Sequence, residues 1–305
     1  MNDIKLKTFF AFGAVYIIWG STYLAIRYAV ETIPPFFMMG SRSLLAGLVL
    51  YSLSRFKEKS GIKRENLLPL FIIGTLFFLV AHGLLAWSQQ YVPSGLAAVL
   101  VASEPLWILL LEFVFIRDTR VKLKGIIGLI LGFIAIAFLI LSLNKVSFNN
   151  TNFTGSLTII LCTLSWGTGA VYSRVAKIPK SAALSAGMEL IIGGGLLLLT
   201  GFLFKENQVL VLTKISARSA LSLGYLIIFG SVITFTAYVW LLGRTSATRI
   251  STHTYVNPII AVFLGWIIGG ENVSYSLLAA TIAIVISIYL VLQDQYQLKK
   301  RENII

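Results

Sequence analysis

Residues 94–116 read SGLAAVLVASEPLWILLLEFVFI. Coiled as a helix rising about 1.5 Å per residue, this run is about 34 Å long, enough to cross the ~30 Å hydrocarbon layer of a bilayer. Near its middle a carboxylate and a helix breaker stand side by side, Glu104 and Pro105. At the helical rise Glu104 lies about 15 Å from the start of the run, close to the bilayer centre. A charged side chain there costs roughly 2.5–3.5 kcal/mol on insertion scales, so it must face a cavity, find a partner or take up a proton. Pro105 has no N–H and leaves the carbonyl of Val101 without its helical donor. Lipid satisfies none of these groups, whereas a wet pocket does.

The rest of the chain has the same character. Of its 305 residues 57% are hydrophobic and 12% charged, with a mean hydropathy of +0.86. This composition belongs to an integral membrane protein rather than a soluble one. Ten apolar runs are legible, at 8–28, 35–54, 67–90, 94–116, 123–143, 155–175, 182–204, 218–242, 246–269 and 274–293. No intervening stretch is long enough for a soluble domain, and the runs lack the period-two alternation of a barrel wall. The fold class expected is an all-α integral membrane protein of ten transmembrane helices.

The formal charge of +13 first reports orientation, not a nucleic-acid surface. With the N-terminus in the cytoplasm, 19 of the 25 Lys and Arg fall in inward segments, at 5–7, 55–64, 117–124, 174–180, 244–249 and 299–301. The outward side holds Arg27, Lys145, Lys205, Lys214 and Arg218, and Arg42 lies within a helix. Both termini are therefore expected in the cytoplasm, in a multi-pass protein of the cell membrane whose partners are the lipid bilayer and a small-molecule solute, with no nucleic acid. Lys5 and Lys7 precede an apolar run that lacks an Ala-x-Ala cleavage site, so it reads as the first permanent span. A single cysteine, Cys162, forms no intrachain disulfide, and no Cys/His spacing suits a metal. Neither a metal site nor any cofactor is expected. Two glycosylation-type triplets, from Asn149 and Asn152, are short matches that arise often by chance.

Sliding the sequence along itself reveals a repeat. A shift of 147 residues lays Trp19-Gly20-Ser21 on Trp166-Gly167-Thr168, Arg27 on Arg174 and Arg42 on Glu189. A shift of 153 lays Trp87 on Trp240, Glu104-Pro105 on Asn257-Pro258 and Asp118 on Glu271. One five-helix unit is used twice, in residues 1–145 and 146–305. Because five is odd, the second copy enters the membrane from the opposite side. Such inverted repeats are the signature of secondary transporters, whose halves rock about a site near the midplane.

Four stretches carry a family resemblance: Trp19-Gly20-Ser21-Thr22-Tyr23, Arg42 to Gly47, Ser103-Glu104-Pro105-Leu106-Trp107, and Tyr255 to Trp266 followed by Gly270-Glu271. Over nearly its whole length the chain resembles the EamA-type branch of the drug/metabolite transporter superfamily. The resemblance implies a ten-helix inner-membrane carrier, often an exporter of amino acids, related metabolites or toxic compounds. It does not name the solute.

The candidate substrate-binding residues are Trp19, Tyr23, His82, Glu104, Trp107, His253 and Asn257, and the candidate kink or gating residues are Arg42, Pro105, Glu189 and Pro258. Glu104 and Asn257, before the paired prolines, supply polar groups at matched depth. The alternative is that the prolines are ordinary kinks and Glu104 a structural acceptor. Arg42 and Glu189, opposite charges at equivalent positions, form an ion-pair latch or snorkel to the headgroups. Tyr16, Trp19, Gly20, Tyr23 and Arg27 share one helical stripe, in which Arg27 attracts an anionic group or simply sits at the interface. His82 and His253 are ligand or proton sites, or packed core histidines; Trp107 is an aromatic wall or a packing residue. Thr234, Tyr238 and Trp240 add unspecific polar and stacking surface. Gly125, Gly128 and Gly132 in the fifth span and Ala279, Ala280 and Ala283 in the tenth suit close helix packing or a homodimer contact.

The reading that follows is a secondary exporter of small organic metabolites, drugs included, working by alternating access, either with proton antiport through Glu104 or as an uncoupled facilitator. An enzyme is not expected, since neither a Ser/His/Asp set nor a His-Glu-x-x-His pattern is present. A phosphate-binding glycine loop for ATP-driven transport is also missing.

Overall fold

The computed structural model describes residues 2–57, 61–116, 122–143, 151–242, 244, 250 and 252–302. Asp118, Lys145, Asn149 and Arg249 of the sequence reading lie outside them. Among the described residues the chain is helical throughout, with no strand. Nine helices are long and apolar enough to cross a membrane: α1 (Ile4–Ala29), α2 (Pro35–Arg55), α3 (Arg64–Ser88), α4 (Ser94–Phe115), α5 (Leu123–Ser142), α6 (Asn152–Val175), α7 (Ala182–Leu203), α8 (Ala217–Tyr238) and α10 (Tyr275–Asp294). Between the last two runs α9 (His253–Ile267), shorter than the 246–269 read from the sequence.

Two local departures from ideal helix shape the interior. The first is α4, which is broken rather than kinked: one half runs Ser94–Val101, the other Glu104–Phe115, and Ala102 and Ser103 turn between them. Pro105 thus sits in the first turn of a new helix, where its missing N–H costs nothing. The carbonyl of Leu100 accepts from both the backbone N–H (3.1 Å) and the hydroxyl (2.6 Å) of Ser103, which closes the end of the first half. The second departure is a wider, π-helical stretch in each of three helices, Ala14–Ile18 in α1, Thr75–His82 in α3 and Leu226–Ile233 in α8. A π turn shifts the ladder and releases carbonyls sideways. Two of these carbonyls bond across helices: Leu76 O accepts from Ser165 Oγ at 2.8 Å, and Gly230 O accepts from Trp19 Nε1 at 3.1 Å.

The helices pack in a paired pattern. The second lies along the seventh and the fifth along the tenth; α1 touches α8 and α9, and α6 touches α3 and α4. Glycines set the closest of these contacts. A Cβ on Gly194 would stand 2.6 Å from the backbone nitrogen of Leu44, and one on Gly187 2.8 Å from that of Tyr51, so α2 and α7 meet backbone to backbone. Gly128 and Gly132 face α10, where Ser287 Oγ donates to Gly128 O at 2.7 Å. These small residues of α5 thus serve packing within the chain. Large apolar side chains such as Phe115, Ile134, Leu161 and Ile282 point outward, as lipid contact requires.

Carboxylates outside the spans cap helix starts. Glu206 accepts from the backbone N–H groups of Phe36 (3.2 Å) and Phe37 (2.9 Å) at the head of α2. Burial lifts its carboxyl above the usual range, against the opposing pull of those two bonds.

The two neighbouring glycines of α7 give a controlled test of the α2–α7 contact. Gly194→Ala is expected to lower thermal stability in detergent by about 1–3 kcal/mol through backbone overlap. Gly195→Ala, with nothing within 4 Å of the new methyl group, should hold or raise it. Equal midpoints for the two variants in a thermal-shift assay would contradict the packing described.

Candidate functional site

The break in α4 opens onto a cavity of about 560 Å³. Its wall draws on α1 (Trp19, Tyr23), α2 (Arg42), α3 (Phe77, Phe78, His82), α4 (Glu104, Pro105), α6 (Cys162, Trp166), α7 (Glu189), α8 (Phe235, Tyr238) and α9 (His253, Asn257, Pro258). Ten of the eleven residues singled out from the sequence therefore meet around one space. Trp107 does not join them. Its ring packs edge-on against Phe133 of α5 (centroids 4.9 Å apart), its Cβ sits over Gly167 of α6, and its buried indole N–H has no partner among the described residues. It packs between α4, α5 and α6.

Two aromatic walls face the cavity. On one, Phe77 stacks on Trp166 at 4.3 Å and His82 stacks on the same indole at 5.4 Å. On the other, Trp19 meets Phe235 at 5.6 Å, Tyr238 at 5.3 Å and His253 at 5.1 Å. The π segment of α8 fixes Trp19 through the bond to Gly230 O. The Nδ1 atoms of His82 and His253 are buried without a hydrogen-bond partner among the described residues. Both rings lie on the cavity wall, so a solute or water there is the available partner.

The charged groups are arranged differently from an ion-pair latch. Arg42 Nε donates to Ser231 Oγ at 2.9 Å and Nη1 approaches Met39 Sδ at 3.8 Å; Glu189 is not within ion-pair range of it. Both side chains are buried, which removes snorkelling to the headgroups. Both line the cavity, as does Glu104, which stands beside the Trp166 indole. Unneutralised charge in a low-dielectric interior is costly unless water or a ligand faces it. The amide of Asn257, in the orientation that satisfies its neighbours, donates to the carbonyls of Tyr16 (3.0 Å) and His253 (3.2 Å). That ties α9 to the π segment of α1, next to the close approach of Gly20 to Ile260.

Other residues of the α1 stripe lie away from the cavity. Tyr16 bonds the Thr252 hydroxyl at 2.5 Å, and Arg27 bonds the chain that follows α3. The sequence reading passed over Phe77, Phe78, Cys162 and Trp166. Trp166 was accessible as the repeat mate of Trp19, but the Phe pair needed the π turn of α3 to be known. Among the described residues no group of three or more His, Cys, Asp or Glu is placed to hold a metal.

Comparison with known proteins places this geometry. The EamA-like transporter family matches the chain twice, over residues 6–141 and 153–293. The chain is similar to the uncharacterized inner membrane transporter YedA of Escherichia coli (strain K12), at 35% identity over 95% of this chain and 92% of that one. Protein PagO of Salmonella typhimurium is 29% identical over 94% and 93% of the two chains. The chloroplastic WAT1-related protein At3g02690 of Arabidopsis thaliana is 27% identical over 90% of this chain and 67% of its own. A solved crystal structure shares the fold with a TM-score of 0.65, at 20% identity over 95% of this chain and 98% of that one. A double match to one family across nearly the whole length makes this chain, with its charged cavity between apolar helices, a member of the EamA-like transporter family.

Proposed function

We propose that this protein is a secondary carrier of the inner membrane that exports small organic metabolites, amino acids or related compounds and drugs among them, by alternating access to the cavity. It performs no covalent chemistry on its solute. The observation that carries this reading is the convergence on one cavity of repeat mates from both halves of the chain: Trp19 with Trp166, Arg42 with Glu189, and Glu104-Pro105 with Asn257-Pro258. A solute held there touches both halves at once and responds to their relative motion.

Several facts support two inverted five-helix repeats, residues 1–145 and 146–305. The inter-helix contacts come in mates: α1 with α8 and α6 with α3, α1 with α9 and α6 with α4. Within the site, Trp19 against Phe235 is the repeat image of Trp166 against His82. The family match falls into two corresponding parts. The basic segments then put both termini in the cytoplasm, and the end of the cavity near Arg174 faces the same side.

The chemistry assigned to the wall is binding and charge compensation. Arg42 takes an anionic group, Glu104 and Glu189 take a cationic group or a proton, and the two aromatic walls take apolar surface. Glu104, at the start of the second half of α4, is the group through which a proton is exchanged for solute.

Two measurements test this. In a metabolite survey of spent medium, Glu104→Gln should slow export roughly ten- to hundredfold, the value of one charge-assisted contact, at unchanged membrane abundance; full export would remove Glu104 from the site. In proteoliposomes, wild-type efflux should fall when the proton gradient is collapsed, and efflux by Glu104→Gln should be insensitive to it. Wild-type efflux indifferent to the gradient would eliminate the antiport version.

A further inference from the structure

The two ends of the cavity lining differ. Its lining extends past Ser173 and Arg174 to Ile178 and Ala182, the last of them exposed, whereas the opposite end stops at the buried side chains of Ile26, Leu85 and Ala98. Behind that floor lies a polar cluster that belongs to neither the aromatic walls nor the charges of the site. Arg27 Nη1 donates to the carbonyls of Gln89 (2.8 Å) and Val92 (3.2 Å), just beyond the end of α3, and its Nε is 3.8 Å from Glu271 Oε1. The same Glu271 carboxylate accepts from the backbone N–H groups of Ser94 (2.6 Å) and Gly95 (3.0 Å), the first two residues of α4. Gln89 completes the cluster by donating to Tyr23 O at 3.1 Å.

The backbone is shaped for this contact. Gly270 adopts a left-handed φ of 63°, which turns the chain after α9 back toward α4. A Cβ on Gly265 would stand 2.5 Å from Glu271 Oε2, so that glycine leaves the carboxylate its room. One side chain from the second half of the chain is thus held by a guanidinium and by a helix N-terminus from the first, each favourable to negative charge. The helix it grips, Ser94–Val101, runs from this cluster to the break beside Glu104. A displacement at one end is carried by a short rigid rod to the other.

We propose that Glu271, clamped between Arg27 and the start of α4, is the bolt that keeps the floor of the cavity shut, and that its release opens the second mouth. The proposal rests on the alternating-access reading above. Glu271 and Arg27 act here as positioning residues and do not touch the solute.

A cysteine at Val101, a half-buried residue of the cavity lining, reports access to the cavity in a Cys162→Ser background, the native thiol being buried; this chain serves as the wild type of the comparison. A membrane-impermeant methanethiosulfonate reagent is applied to right-side-out and inverted vesicles carrying the full chain. Wild type should react from the Arg174 side and be protected from the Arg27 side. Glu271→Gln should raise reaction from the Arg27 side by about tenfold or more while lowering it from the Arg174 side, the mark of a shifted balance between two forms each open to one side. Glu271→Asp should stay near wild type. A merely loosened fold would raise both rates together, and that result, or no change on the Arg27 side, overturns the proposal. Should Glu271→Gln fail to accumulate, Arg27→Gln removes the other jaw of the clamp and is read by the same criteria. Because labelling requires no solute, a switch in sidedness in a protein whose wild type exports no solute would overturn the carrier reading and leave the bolt standing.

Discussion

A bilayer offers no hydrogen bonds, and the whole architecture follows from that constraint. Ten apolar runs can hide their backbones by coiling, but a carboxylate and a proline at mid-depth cannot be hidden that way. The chain resolves the conflict by breaking α4 at Ala102 and Ser103 and by opening a cavity against the break. The polar groups that lipid would reject then become the lining of a compartment shared by α1, α4, α6 and α9. A continuous helix in this place would have been cheaper to insert, and it would have left nothing for a solute to bind.

The same logic explains the three π segments. A regular helix spends every carbonyl on its own ladder. A π turn releases one, and here the released carbonyls of Leu76 and Gly230 fasten α6 to α3 and α1 to α8. Trp19 is held in this way at the cavity wall, so the distortion that costs helix energy also sets an aromatic side chain in place. At one end of the cavity the helices are tied by Arg27, Gln89 and Glu271; at the other, Arg174 of α6 pairs with Glu112 of α4 while the lining runs on to the exposed Ala182. A carrier that opens to one side at a time needs such an asymmetry in each of its states.

Much of this was legible in the residues because the bilayer makes the pattern coarse. Long apolar runs fix the helices, and a charged or Pro-bearing position within one stands out against them. That is why Glu104, Arg42, Glu189 and Asn257 could be named before any geometry was known. Trp107 shows where spacing misleads. It was placed on the face of Glu104 by its three-residue spacing, but three residues of helix leave about 60° between the two side chains, and that offset turns Trp107 to the α5 and α6 side. The π segments have no sequence signal at all, and without them neither Phe77 nor the anchoring of Trp19 could be foreseen. Arg42 and Glu189 show a different limit: complementary charge at equivalent positions gives no distance, and the two line one cavity here without forming an ion pair.

The central claim is that two oppositely inserted copies of one five-helix unit enclose the cavity. Paired cysteine mapping tests it most directly, with single cysteines at Thr32 and Pro179, the repeat mates that follow α1 and α6, each in a Cys162→Ser background. Impermeant maleimide should label position 32 from outside intact cells and position 179 only from the cytoplasmic face. Labelling of both from the same face would contradict the account.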